Sequence, residues 1–435
     1  MKIKFNKKIG VLAGLLTMSS SLVLAACGGN LGSTVGDSDT DRIVLAVADP
    51  DNPRWVRARQ QITEGINWFK DSTGKSYKVT SDITKVQPDQ TSFVETQMNL
   101  SPKPKAIVVG AVNDQAAALV RAARRDNIHF LAYDRLINNT TDYKFYASFD
   151  NFKVGQLQGL AIVNGITGQN FTEVSQFDTW LAVEANKTTT KSYVNKNIYA
   201  LGGASTDNNS SIFFGGAVSV INKLTEASEG KVKIINGAYK GNGNELDEPR
   251  SFTQASVADW NYQAAQTRVE TFASNETQLK QVAAFLTPND GMASAVINVL
   301  KARRLDPKNY IITGQDANPE NLKFINDGDQ TMTISKPDLW MARVVGVWVD
   351  TLLKKGDFVA PTKALAEEIL TNIKNDDIFK SYAVREGVGI DQFIKLDDSF
   401  YKTLKDNPSS AVFTFLLDPI LVNKTNINKY YTPQV

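Results

Sequence analysis

From Asp41 onward this 435-residue chain repeats one rhythm, and the rhythm narrows the folds open to it. Short apolar runs alternate with stretches whose apolar residues recur every three or four positions. The first run is 43–48; Trp55, Ala58, Ile62, Ile66 and Phe69 then fall on one helix face. Runs at 77–83, 106–109 and 128–133 read as further strands, separated by helical patterns over 93–98 and 115–125. Strands apolar throughout, each followed by an amphipathic helix, predict a parallel sheet covered on both faces. The rhythm then restarts, with strands at 198–201, 232–235, 282–286, 311–313 and 331–334 and helices over 213–224, 262–272, 292–300 and 339–353. Two successive sets predict two α/β lobes of similar design. Three polar, weakly periodic stretches, about 167–195, 240–256 and 357–408, are expected to be surface elaborations.

The first residues address the compartment. Lys2, Lys4, Lys7 and Lys8 precede an apolar stretch over 9–26, which ends in Leu24-Ala25-Ala26-Cys27-Gly28-Gly29. A basic start, a short apolar run and small residues before the cut form an export signal. The cysteine directly behind the small pair makes it a lipoprotein signal, because its thiol can carry a diacylglyceryl group. Cys27 is the only cysteine in the chain. An uncleaved membrane helix is the competing reading, but the stretch is barely long enough and serines dilute it. We therefore expect a signal peptide over 1–26, lipid on Cys27, a flexible Gly/Ser/Thr/Asp tether over 27–41, and residence on the extracytoplasmic face of the cell membrane. The remaining chain of roughly 390 residues suits two domains.

Composition excludes several classes. The formal net charge is +2 and the charges are interspersed, so no nucleic-acid footprint appears. One cysteine, committed to lipid, leaves no disulfide framework. The single histidine, His129, lies in the apolar run Asn127-Ile128-His129-Phe130-Leu131-Ala132 and reads as a buried structural residue. One histidine and no free cysteine rule out the usual zinc sites, and rule out Ser-His-Asp or Cys-His catalysis unless His129 is the base. No metal or cofactor is expected. A carboxylate-only glycosidase, using Asp134 and Asp316, is the surviving enzymatic alternative, and an enzyme is not the favoured reading. A transcription regulator would need a DNA-binding motif where the export signal stands. Gly74-Lys75-Ser76 and Gly241-Asn242-Gly243 lack the setting of phosphate or dinucleotide loops, and Asp37 to Asp41 lacks the glycine and closing glutamate of a calcium loop.

Ligands of open parallel α/β sheets bind beyond the carboxyl ends of the strands. Residues at those ends share a chemistry: Asp49, Asp51, Arg54 and Trp55; Asp134 and Arg135; Asp207, Asn208 and Asn209; Asp259 and Trp260; Asn289 and Asp290; Gln315 and Asp316; and Lys336. Carboxylates, amides and guanidinium groups donate to and accept from hydroxyls in fixed geometry, and an indole offers a plate to the C–H face of a pyranose. Each position also has a purely structural reading. Asp290 can cap the helix over 292–300, one of Asp207 to Asn209 can cap the next helix, and Asp134 can pair with Arg135.

At these residues the sequence resembles the xylose-binding and multiple-monosaccharide-binding branch of the bacterial sugar-binding proteins of periplasmic-binding-protein type I. The matching phrases are Leu131-Ala132-Tyr133-Asp134-Arg135-Leu136-Ile137, Ser148-Phe149-Asp150-Asn151 with Val154-Gly155, Gly202-Gly203 with Asp207-Asn208-Asn209, and Asn289-Asp290. Gly314-Gln315-Asp316-Ala317, Thr331-Met332-Thr333 with Lys336-Pro337, and Pro419, Val422, Lys424 and Asn426 complete them. The resemblance implies two Rossmann-like lobes joined by a three-crossing hinge, the first over 42–149 plus about 336–415 and the second over 150–334 plus about 416–430. It implies crossings near Asp150-Asn151, near Ser335-Lys336 and before Leu416. It implies a monosaccharide held by Arg54, Asp134, Arg135, Asn209, Asn289, Asp316 and Lys336, stacked on Trp260, with Trp55 as a second plate. It also implies the permease subunits of an ABC importer as partner, a monomer, and no chemistry on the sugar. Ser205-Thr206 and the 240–256 insertion depart from the pattern and touch selectivity. A nucleoside- or other small-polyol-binding lipoprotein of the same fold is the alternative.

Overall fold

The computed structural model describes residues 41–71, 73–137, 140, 142–237, 249–356, 358–397 and 412–432. Cys27, the export signal, nearly all of the tether and Gly241-Asn242-Gly243 lie outside the described residues.

The first lobe is built on β1 (Arg42–Ala48), β2 (Lys78–Thr84), β3 (Ala106–Val109), β4 (His129–Tyr133) and β5 (Phe145–Phe149), with α1 (Pro53–Asn67), α2 (Gln87–Met98) and α3 (Ala117–Arg125) between them. The chain then enters the second lobe with α4 (Asn151–Thr167), α5 (Val174–Leu181), α6 (Glu184–Lys191), β6 (Asn197–Ala200), α7 (Asn208–Ala227) and α8 (Pro249–Ala255). That lobe continues through α9 (Tyr262–Ala273), α10 (Glu276–Leu279), β7 (Val282–Leu286), α11 (Asp290–Ala302), β8 (Ile311–Ile312), α12 (Pro319–Asp327) and β9 (Met332–Ser335). The first lobe resumes with α13 (Asp338–Leu353), α14 (Lys363–Asn375), α15 (Asp377–Glu386), α16 (Ile390–Phe393), β10 (Ile394–Asp397) and β11 (Phe413–Leu417), before β12 (Ile420–Asn423) returns to the second.

The first lobe's seven strands run in the order β10-β11-β5-β4-β3-β1-β2, all parallel except β10 against β11. Both faces are buried, and β1 shows why its run is apolar throughout. Ile43, Leu45 and Val47 enter the core under α1 and α13, whereas Val44 and Ala46 enter the core under α2 and α3. In the second lobe β6, β7 and β8 are parallel, and the antiparallel pair β12–β9 is tied on by Thr331 N to Ile312 O at 3.0 Å and Ile334 N to Gly314 O at 3.1 Å. Helices α4 and α7 meet backbone to backbone at Gly155, where a Cβ would sit 1.8 Å from Phe213 O; no larger residue fits without separating the helices.

Several expectations need correction. The segment 232–235 makes only an isolated bridge, Ile234 with Ile198, because after two ladder bonds the Asn236 side chain, not its backbone, takes the N–H and carbonyl of Ala200. The stretches taken as surface elaborations contain core. In 167–195, Phe177 is fully buried beside Phe171 and Trp180. In the third stretch, Leu365, Ile369, Ile373, Phe379 and Phe393 pack into the first lobe, and β10 extends its sheet. Within 240–256, Phe252 and Ala255 of α8 are buried. Charged residues between these short apolar stripes hide their period. The passages between sheets fall at Asp150, at Lys336–Pro337 and at Asp418–Pro419. The last is later than about 416 because Leu417 still pairs with Phe149.

Candidate functional site

All nine residues that the resemblance assigned to the sugar line one cavity between the lobes: Arg54, Trp55, Asp134, Arg135, Asn209, Trp260, Asn289, Asp316 and Lys336; of the other strand-end residues, Asp51, Asn208, Asp259 and Asp290 do not. Asp134, Arg135, Asn289, Asp316 and Lys336 follow the carboxyl ends of β4, β7, β8 and β9, Arg54 and Trp55 lie in the first turn of α1, Asn209 in the first turn of α7, and Trp260 before α9. The cavity also takes in Asp49, Asp207 and Gln315, which stand at strand ends without an assigned contact, and Asn52 and Phe213, which were not singled out for the site.

Asp134 is the centre of charge. Arg54 Nη2 lies 2.7 Å and Lys336 Nζ 3.4 Å from its Oδ1. Burial opposes ionisation, yet the Arg54 guanidinium and the Lys336 ammonium hold this carboxyl well below the usual carboxylate range. Arg54 is shared, because its Nε donates to Asp338 Oδ1 at 3.2 Å. Burial pushes the Asp338 carboxyl up to about 6 against the pull of Arg54. Burial, with Arg54 alongside, lowers the Lys336 ammonium.

Contacts cross from lobe to lobe, the following three among them. Arg135 Nε reaches Asp207 Oδ2 at 2.8 Å. Asn52 Nδ2 donates to Asp316 Oδ2 at 2.9 Å. Asn209 Nδ2 donates to the Asp134 carbonyl at 2.7 Å. Asp134 and Arg135 therefore do not pair with each other; each finds a partner elsewhere. Burial raises the Asp207 carboxyl, with Arg135 acting against it. Asp207 also caps α7 through the Asn209 amide and accepts from Trp260 Nε1 at 3.2 Å, so its structural and site roles coincide. The α11 cap is Asn289, which accepts from the Met292 amide and donates to Tyr262 Oη at 3.2 Å. Asp290, one residue on, is buried and bound to Asn318 and Gln330.

The two tryptophans sit differently. Trp260 is half-buried, leans on Phe213 at 6.1 Å between centroids, and lies over Gly203, where a Cβ would come 2.2 Å from its Cη2. Trp55 is 2% exposed, with Arg54 and Arg135 guanidinium carbons 5.2 and 5.1 Å from its ring centroid. Cations already occupy its surroundings.

Asp49, Asp134, Trp260 and Asp316 all adopt positive φ, at 57°, 59°, 54° and 103°. Such strain persists where surrounding structure fixes it, commonly at ligand sites. Gln315 Oε1 is buried at the cavity wall with no hydrogen-bond partner, an acceptor left for a donor entering the cleft. His129 is far from this chemistry in its contacts: it stacks on Phe358 at 4.8 Å, and burial, with Lys105, pushes its imidazole down to about 4. Among the described residues no group of His, Cys, Asp and Glu could hold a metal ion, and no helix is long and apolar enough to cross a membrane.

The sequence pattern of the periplasmic binding protein domain matches residues 43–357. The 46 kDa surface antigen of Mesomycoplasma hyopneumoniae is 30% identical, covering 98% of this chain and 98% of its own length. The D-xylose-binding periplasmic protein of Escherichia coli is 26% identical over 95% of this chain and 94% of its own. Among solved structures, an ABC transporter solute binding protein from Clostridium phytofermentans with bound β-D-glucose superposes with a TM-score of 0.63 at 22% identity, covering 90% of this chain and 98% of the other.

Proposed function

The chain belongs to the periplasmic binding protein family, and on that premise we propose that it is a lipid-anchored extracytoplasmic receptor that binds a xylose-like aldose and delivers it to an ABC importer. The observation that carries this reading is the convergence of charged, amide and indole groups from both lobes on one cavity. The lobes' polar groups bond to each other across the cleft. A polyol entering there exchanges those bonds for its own, and charge-assisted bonds of this kind contribute roughly 1.5–3 kcal/mol each. The face of Trp260 adds about 1–2 kcal/mol by covering a sugar's C–H surface. Because the sugar touches both lobes only when they close, its binding shifts the population toward the closed shape, which the importer reads.

A glycosidase acid needs a carboxyl kept protonated near neutral pH. The Asp134 carboxyl is displaced the other way by Arg54 and Lys336, which disfavours that role. A nucleoside base would want two plates, and guanidinium groups crowd Trp55. Calorimetric titration of the purified protein with pentoses, hexoses and nucleosides tests the reading. We expect an aldopyranose to bind at about micromolar Kd or tighter. Saturation by nucleosides alone, or by none of these, would overturn it.

A further inference from the structure

We infer that the cleft contains a second subsite, so that the preferred ligand is a short glycoside whose terminal ring enters the deep cavity and whose next sugar unit rests in the mouth. This rests on the sugar-binding reading above. At the deep cavity the lobes touch: the Arg135–Asp207, Asn52–Asp316 and Asn209–Asp134 contacts span 2.7 to 2.9 Å, and about 30 Å³ remains between them. Directly outside, between the same two lobes, a cavity of about 640 Å³ stays open. The two spaces share Asp49, Arg135 and Trp260, so they are continuous. An open cleft would widen both. Here contact at the deep end coexists with room at the mouth, and that room falls in the range of about 300–1,000 Å³ typical of ligand sites.

The walls state what the mouth accepts. Asp49, Asp51 and Asp259 face it, against Lys85, which is bound to Asp51, and Arg135, which is bound to Asp207. Both cations are already committed, so a phosphate or carboxylate there would meet net repulsion. Asn113 and Gln263 stand on opposite walls as donors and acceptors, and Trp260 and Tyr262 give aromatic surface. Tyr262 also connects mouth to depth, since its hydroxyl holds Asn289. Hydroxyl acceptors, amides and aromatic faces without a free cation fit a neutral sugar ring and reject a nucleotide or sugar phosphate.

The test is calorimetry on the full-length protein in detergent, with D-xylose, D-glucose, their disaccharides of differing linkage, and xylose phosphate as probes. At least one disaccharide should bind about tenfold more tightly than its monosaccharide, and the phosphate more weakly. Gln263→Trp, which fills the mouth, and Gln263→Ala, which removes its amide, should each erase or reduce that gain while leaving the monosaccharide Kd within about twofold. If monosaccharides bind and every disaccharide binds more weakly, the subsite is refuted while the sugar reading stands. A disaccharide gain untouched by Gln263→Trp also refutes it. If no sugar of either size binds, the sugar reading falls and the subsite with it.

Discussion

Arg135 Nε lies 2.8 Å from Asp207 Oδ2, and the two residues stand on opposite lobes. The pair is buried, with side-chain exposures of 9% and 4%, so solvent screens it little. Breaking a buried pair from one side costs about 3–5 kcal/mol because the other charge is left unmatched. Asp207→Asn keeps the cap on α7 but abolishes the charge, so it should favour separated lobes. In a double-mutant cycle with Arg135→Met, read by thermal or denaturant unfolding, we expect a coupling above about 1 kcal/mol. Additive effects would show that the two lobes are not linked through this pair.

Trp260→Ala should weaken aldose binding by about tenfold or more, the loss of its apolar face. The unfolding midpoint should fall only slightly, since the indole is half-buried and peripheral to the main cores. An unchanged Kd by calorimetry would remove Trp260 from the site.

That these residues share the cleft was legible from the sequence because the strand-end rule does not depend on side-chain geometry. Asp134, Asn209, Asn289 and Asp316 each follow a recognisable strand or open the helix after one. Asp338 escaped because it lies past Lys336-Pro337, where a helix start explains an acidic residue without reference to Arg54. Asn52 escaped because it reads as a cap on α1, which it also is. The helices α14 to α16 escaped because Leu365, Ile369 and Ile373 are separated by Glu and Lys, and their period shows only once the opposing face of the sheet is known. That the third passage lies at Asp418–Pro419 depends on which strand Leu417 pairs with, and pairing is not written locally.

Burial, followed by the neighbouring Asp316, pushes the Asp290 carboxyl up to about 8. Between roughly pH 4 and 8 the folded chain therefore holds a proton that the unfolded chain has released. The stability tied to this group is present below that window and is lost as pH rises through it. Asp290→Asn should flatten the decline in unfolding free energy between about pH 6.5 and 8, where His129 contributes no slope. The readout is the slope, which a uniform loss of hydrogen bonds does not alter. An identical slope in wild type and variant would contradict this.

His129 acts in the opposite sense. Its imidazole is pushed down to about 4 by burial and by Lys105, so between about pH 4 and 6.5 the unfolded chain takes up a proton that the folded chain refuses. This contribution rises with pH across that window. His129→Gln should remove it, seen as a shallower rise of the variant relative to wild type in urea melts from pH 4 to 6.5. Sugar affinity should stay within about twofold, because His129 contacts Phe358 and Trp348 and not the cleft.

Anchoring is tested at Cys27. In detergent phase separation of whole cells the native protein should partition with membrane lipids, and Cys27→Ser should move it to the aqueous phase or leave it as unprocessed precursor. A mature Cys27→Ser protein that still partitions with lipid would exclude acylation as the anchor.

The most direct test of the central claim is a crystal structure grown with the aldose that binds tightest in calorimetry. The sugar ring should lie on Trp260, with hydroxyls within hydrogen-bond distance of Asp134, Asn209, Asp316 and Lys336. The Arg135–Asp207 or Asn52–Asp316 contact should be exchanged for contacts to the ligand. A sugar bound elsewhere on the chain, with those contacts intact, would contradict the account.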